Sequence, residues 1–230
     1  MLSLGNFYYA FSSNVKSESQ LKDSYKFFFH VLNENHNNAY AVNGLGMVCV
    51  EKQEIDTARE MFSKAREANV TKSEDICTNL SHVYVIQNRL VDAERLYQST
   101  IKSLSRTGRS FADKYAHLNE CVAYTQHKHN RQEDAIKSMF RALHLNPTNL
   151  RFWYNVAFVG ENLCGVILQR KNASVKLVEE AKQVLNISKK VFKSLSLVQQ
   201  HHQHKPYERK LAGLHSSSCT VLLQYMNILY

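Results

Sequence analysis

The chain has 230 residues, 44% hydrophobic and 21% charged, with only 2 prolines and 7 glycines. That composition suits a soluble chain with a buried core and excludes collagen, low-complexity linkers and a many-turned β-sandwich. Lys plus Arg number 29 against 20 Asp plus Glu, a net +9, and no run reaches the roughly 18 apolar residues of a membrane-spanning helix.

The first nine residues, Met1-Leu-Ser-Leu-Gly-Asn-Phe-Tyr-Tyr9, carry neither a basic region nor a cleavage site, so no signal peptide is expected. Self-similarity then organises the chain. Gly46, Ala58, Phe62 and Ala65 recur 35 residues on as Ser81, Ala93, Tyr97 and Thr100. Backwards, Ser24, Phe28 and Val31 precede Ala58, Phe62 and Ala65 by 34 residues, after a helix opened by Leu4-Gly5. Forwards, Ala135, Met139 and Ala142 follow at 42, which implies an inserted loop around Ser105–Asp113. Small residues such as Gly46, Ala58, Ser81 and Ala93 let two antiparallel helices approach closely. Larger ones (Phe62, Tyr84, Tyr97) fill space toward the neighbouring pair at i, i+3, i+4 spacing. Pro147 ends the fourth hairpin, because proline cannot continue a helix and biases its predecessor out of the α region. A small–large pattern with a period near 34 is the tetratricopeptide signature. The expected fold is all-α, a right-handed solenoid of antiparallel helix pairs forming a tetratricopeptide superhelix. Residues 1–149 make four pairs.

Residues 150–198 depart from the period. Ser188, Phe192 and Leu195 come about nineteen residues late, which predicts two long helices, roughly 150–171 and 173–198. Residues 170–210 hold ten basic and three acidic residues, so +7 of the excess charge lies in one stretch that includes Lys189, Lys190 and Lys193. One local basic surface follows, not a chain coated in cations. Residues 199–206 form a His-rich turn and 207–230 a final helix. That helix is apolar almost all round, which predicts that it packs on a further element beyond a cut-short end.

Here the chain resembles a known family over essentially its whole length. Leu-Gly-Asn (4–6), Asn-Asn-Ala-Tyr-Ala-Val-Asn-Gly-Leu-Gly (37–46), Asp-Thr-Ala-Arg-Glu-Met-Phe-Ser-Lys-Ala-Arg-Glu-Ala (56–68), Asn-Leu-Ser-His-Val-Tyr-Val (79–85), Tyr-Asn-Val-Ala (154–157) and Val-Phe-Lys-Ser-Leu (191–195) are similar to the C-terminal repeat region of the large scaffold subunit of the Paf complex. The delayed fifth pair is the most specific element. The loop at 105–113 and the His-rich stretch differ from the family. The resemblance implies a nuclear, non-enzymatic scaffold that binds other Paf-complex subunits, with RNA polymerase II as the larger partner. Elongation and accompanying histone modification are the implied roles. It also implies a fragment of a longer subunit.

Chemistry offers no competing reading. Five cysteines (Cys49, Cys77, Cys121, Cys164, Cys219) with no C-x-x-C read as reduced core thiols. His201 and His204 share a helical face but lack the further ligands a metal needs, and His127-Lys-His129 points to two faces. Gly44-Leu-Gly46 lies inside a helix, where small residues serve packing rather than phosphate binding. Phe27, Phe28, Phe29, Tyr84, Tyr97 and Trp153 at helical spacing read as core. No catalytic residue, metal or cofactor is expected. Helical solenoids bind through inner helices, and the groove candidates are Tyr40, Asn43, Met47 and Val50, then Thr78, His82 and Val85, then Glu120, Tyr124, His127 and Lys128. Two alternatives stand beside the scaffold. An adaptor clamping an acidic tail needs Lys and Asn at inner positions that here hold Asn43, Met47, Thr78 and His82. An RNA-processing repeat protein rests on the +7 stretch alone, which also suits a weak nucleic-acid or acidic-protein contact.

Overall fold

A computed structural model describes residues 1–15, 18–68, 73–106, 112–170, 173–198 and 208–229. Every element in them is a helix. The chain divides into two compact units, Met1–Arg109 and Ser110–Tyr230. The first contains α1 (Leu2–Val15), α2 (Glu18–Glu34), α3 (Ala39–Glu51), α4 (Ile55–Ala68), α5 (Glu74–Ile86) and α6 (Leu90–Arg106). The second contains α7 (Ala112–Lys128), α8 (Gln132–Leu145), α9 (Leu150–Leu168), α10 (Val175–Leu197) and α11 (Arg209–Leu229).

The repeat is written into the backbone as well as the side chains. Gln53, Asn88 and Asn130 adopt φ of 63°, 58° and 59°, and they sit 35 and 42 residues apart, the register of the alanines. Each follows a first helix of a pair. At the first of them, Gln53 N–H donates to Val50 and Glu54 N–H to Cys49. The same two bonds recur as Asn88 to Val85 with Arg89 to Tyr84, and as Asn130 to His127 with Arg131 to Gln126. This is the Schellman closure, which satisfies otherwise orphaned carbonyls and reverses the chain. Asparagine tolerates the left-handed region at two of the three positions. At the other ends, Asn38, Asn149 and Ser174 cap α3, α9 and α10 by accepting backbone N–H groups with their side chains.

One large side chain per pair fills the space between helices. Phe28, Phe62, Tyr97 and Met139 are almost fully buried, and Ala58, Ala93 and Ala135 beside them are fully so. A buried side chain of this size contributes about 1.5–3 kcal/mol. In the first unit the ring of Phe62 lies where a Cβ on Gly46 would stand, 2.7 Å away. Ser24 is buried with its hydroxyl donating to the Gly5 carbonyl at 2.9 Å. In the second unit Ala142 is fully buried, and Pro147 presents its carbonyl to the Trp153 indole N–H at 2.8 Å. The α9–α10 crossing uses a different close approach: a Cβ on Gly160 would meet Ser188 Oγ at 2.7 Å.

The structure corrects several sequence expectations. Of the loop expected around Ser105–Asp113, Ser105 lies inside α6 and Asp113 inside α7, and residues 107–111 lie outside the described residues. The long helices end earlier than their periodicity suggests, at Leu168 and Leu197. Phe29 is exposed, while Phe27, Tyr84 and Trp153 are only half-buried. Three consecutive phenylalanines span about 200° of a helix at 3.6 residues per turn, so only Phe28 can face the core. Phe29 instead stacks on Tyr25 at 6.0 Å along the outside of α2. Of the five free thiols, Cys49, Cys164 and Cys219 are buried but Cys77 and Cys121 are half-buried. Cys121 is rotated one step from the buried Val122 and Ala123 of α7. Among the described residues no helix is long and apolar enough to cross a membrane.

Candidate functional site

In the first unit the inner helices α3 and α5 lie against each other. Tyr40 is exposed, and Asn43, Met47 and Val50 follow half-buried down α3. Asn79 Nδ2 donates to Asn43 Oδ1 at 3.1 Å, and Asn43 Nδ2 reaches Met47 Sδ at 3.7 Å. Met47, Val50 and Tyr84 pack on the cluster of Cys49, Ala58, Phe62, Leu80 and Val83. The Thr78 hydroxyl donates to the Glu74 carbonyl of its own helix at 2.8 Å. His82 Nδ1 shares a 2.6 Å hydrogen bond with the Tyr97 hydroxyl, the rings meeting edge-on. The Ser81 hydroxyl donates to the Cys77 carbonyl, which satisfies it without a partner from another helix. Val85 is half-buried.

The second unit repeats the inner-helix contact with charge. Glu120 on α7 accepts from Arg151 Nη2 at 2.7 Å through one oxygen and from Asn155 Nδ2 at 2.8 Å through the other. Glu120 and Asn155 stand 35 residues apart, so the row continues one repeat further. Tyr124 is exposed, with the Lys128 ammonium 5.7 Å from its ring centroid. His127 Nδ1 bonds Gln132 Oε1 at 2.8 Å, and its ring lies 5.6 Å from that of Phe158. The groove candidates thus separate into two kinds. Tyr40, Tyr124 and Lys128 face solvent, while Met47, Val50, His82 and His127 engage neighbouring helices.

Five of the ten basic residues of the 170–210 stretch lie on α10. Lys190 and Lys193 are exposed and Lys189 is half-buried. The Lys189 carbonyl accepts from the Ser216 hydroxyl of α11 at 3.4 Å. Lys182 sits 4.0 Å from Glu179, and Arg170 pairs with Glu133 of α8 at 3.3 Å. Lys171, Lys205 and the His201–His204 stretch lie outside the described residues.

Sequence reasoning missed Asn79, Arg151, Asn155, Glu161 and His215. Glu161 of α9 and His215 of α11 meet at 2.6 Å, the carboxylate largely buried. His215 stacks on Phe192 at 5.0 Å and meets Tyr154 and Phe158 edge-on. Asn155 was discoverable, because adding the repeat length to Glu120 lands on it. His215 was not, since nothing in the sequence says where α11 docks.

Within each unit these residues build helix faces with polar rows.

Comparison with known proteins agrees with that architecture. A family profile described as ChAPs (Chs5p-Arf1p-binding proteins) matches residues 11–163. The chain is 26% identical over 234 aligned residues to the protein CTR9 homolog of Arabidopsis thaliana, covering 97% of this chain and 21% of that protein. It is 24% identical to the RNA polymerase-associated protein CTR9 of Caenorhabditis elegans, covering 81% and 16%. It is 29% identical to tetratricopeptide repeat protein 1 of Schizosaccharomyces pombe, covering 74% and 16%. The chain therefore spans about a fifth or less of the length of these relatives. Among solved structures, Pseudomonas aeruginosa PilF superposes with a TM-score of 0.60 at 12% identity, covering 97% of this chain and 92% of that one. MamA does so with 0.57 at 14%, covering 78% and 92%. YrrB, a tetratricopeptide protein with an unusual peptide-binding site, gives 0.52 at 17%, covering 81% and 90%. By its repeats, its helix pairs and these matches, the chain is an all-α tetratricopeptide solenoid that belongs to the ChAPs family and is homologous to the CTR9 proteins over most of its length.

Proposed function

We propose that this chain is a non-enzymatic scaffold segment of a Paf-complex subunit, acting in the nucleus by holding other subunits of the complex near RNA polymerase II. The observation that carries this reading is the CTR9 likeness across 97% of the chain, including the irregular fifth pair. Exposed inner-helix side chains such as Tyr40 and Tyr124 support it, because solenoids capture peptides and helices on such faces. Contribution to elongation and to histone modification follows from the complex rather than from any chemistry of this chain.

Two surfaces divide the work. The inner face of the first unit, where Tyr40 stands exposed, grips a partner subunit through apolar contact. Lys189, Lys190 and Lys193 favour acidic protein or nucleic acid through long-range steering. The test is co-purification of this chain with recombinant Paf-complex subunits. Capture of at least one supports the reading, and capture of none overturns it.

A further inference from the structure

The surroundings of Cys121 set it apart from the other thiols. Burial pushes the Cys49 thiol up, and it pushes Cys164 and Cys219 up to about 12. Such thiols are poor nucleophiles, because the thiolate is the attacking species. Cys121 is half-buried, one helical turn beyond His117, with Sγ 3.8 Å from Nε2. The other ring nitrogen of His117, Nδ1, lies 3.4 Å from Glu120 Oε2. Glu120 is itself fixed by Arg151 and Asn155 of α9. Carboxylate, imidazole and sulfur thus stand in sequence along one face of α7, at the i, i+3, i+4 spacing that makes helical side chains neighbours. Hydrogen bonding to Cys121, and then to Glu120, holds the His117 imidazolium up to about 10. The His117 side chain is about half exposed, so small reagents can approach.

We propose that Cys121 is an oxidant-reactive modification site, with His117 as acceptor of its proton and Glu120 as the group that orients the imidazole. With hydrogen peroxide as oxidant, the sulfur attacks one peroxide oxygen, and the S–O bond forms as the O–O bond breaks. The departing hydroxide takes the proton held by His117 and leaves as water. Sulfur gives up two electrons, the peroxide gains them, and the product is a sulfenic acid on Cys121. The modified atom then stands beside Glu120, on the helix that carries Tyr124 and Lys128.

The folded chain is treated with hydrogen peroxide in the presence of dimedone, which traps sulfenic acids, and each cysteine is followed by mass spectrometry. Cys121 should label at least about tenfold faster than the half-buried Cys77. His117→Gln should remove most of that advantage, and Glu120→Gln a smaller part. Labelling of the buried Cys164 and Cys219 reports opening of the fold in the same spectrum. The comparison within the unmutated chain stands whatever the stability of a variant. Equal rates at Cys121 and Cys77, or a folded His117→Gln variant that keeps the full rate, would overturn the proposal.

Discussion

The ring of Phe28 occupies the space that a Cβ on Gly44 would need. An ideal Cβ there stands 2.5 Å from the ring's Cε1 and Cζ, and one on Gly5 stands 2.7 Å from Cε1. One aromatic ring of α2 is thus pressed between glycines of α1 and α3. Gly44→Ala should therefore destabilise the fold by about 1–3 kcal/mol through overpacking, despite the better helix propensity of alanine. Gly165 of α9 has nothing within 4 Å of its Cβ position, so Gly165→Ala should stabilise by up to about 1 kcal/mol. Urea unfolding of the two variants checks the opposite signs. A Gly44→Ala variant at least as stable as its parent would contradict the close approach.

Ala93 is fully buried at the start of α6. Ala93→Arg adds volume and an unpaired charge to a packed crossing, with an expected loss of about 3 kcal/mol or more. Thermal melting measures it, and an unchanged midpoint would mean the repeat register is wrong.

The Glu161–His215 pair fastens α11 to α9 inside an aromatic surround. His215→Ala leaves a largely buried carboxylate short of its partner and removes three ring contacts. About 1–3 kcal/mol should be lost, chiefly from α11. Hydrogen exchange should then accelerate over residues 209–229 more than over 112–145. Uniform acceleration across the second unit would show that α11 is not held locally.

Lys189, Lys190 and Lys193 reversed together to Glu should slow association with an acidic partner by about tenfold at low salt. The salt dependence should flatten, and partner identity should stay the same. Tyr40→Arg should abolish capture at every ionic strength while circular dichroism stays helical. If both variants lose binding equally at low and high salt, the two surfaces do not divide the work.

The sequence alone determined the helical solenoid and its pairing. The reason is local: alanines and glycines at constant spacing only make sense where helices cross, and large side chains one turn away only where a neighbouring pair waits. It held a further signal in Gln53, Asn88 and Asn130, whose matching spacing marks the left-handed residue that ends each first helix. Tertiary structure decided what each candidate side chain does. Phe29 shares helical spacing with Phe28, yet a rotation of about 100° per residue sends it to solvent. His82 turns to Tyr97, and Glu120 spans to Arg151 and Asn155. Partners of that kind come from other helices, and their identity depends on how α5 meets α6 and α7 meets α9. The docking of α11 belongs to the same class, because Glu161 and His215 lie 54 residues apart with no repeat relating them. Periodicity in a chain reports which face of a helix is buried, whereas only the packed fold reports what that face is buried against.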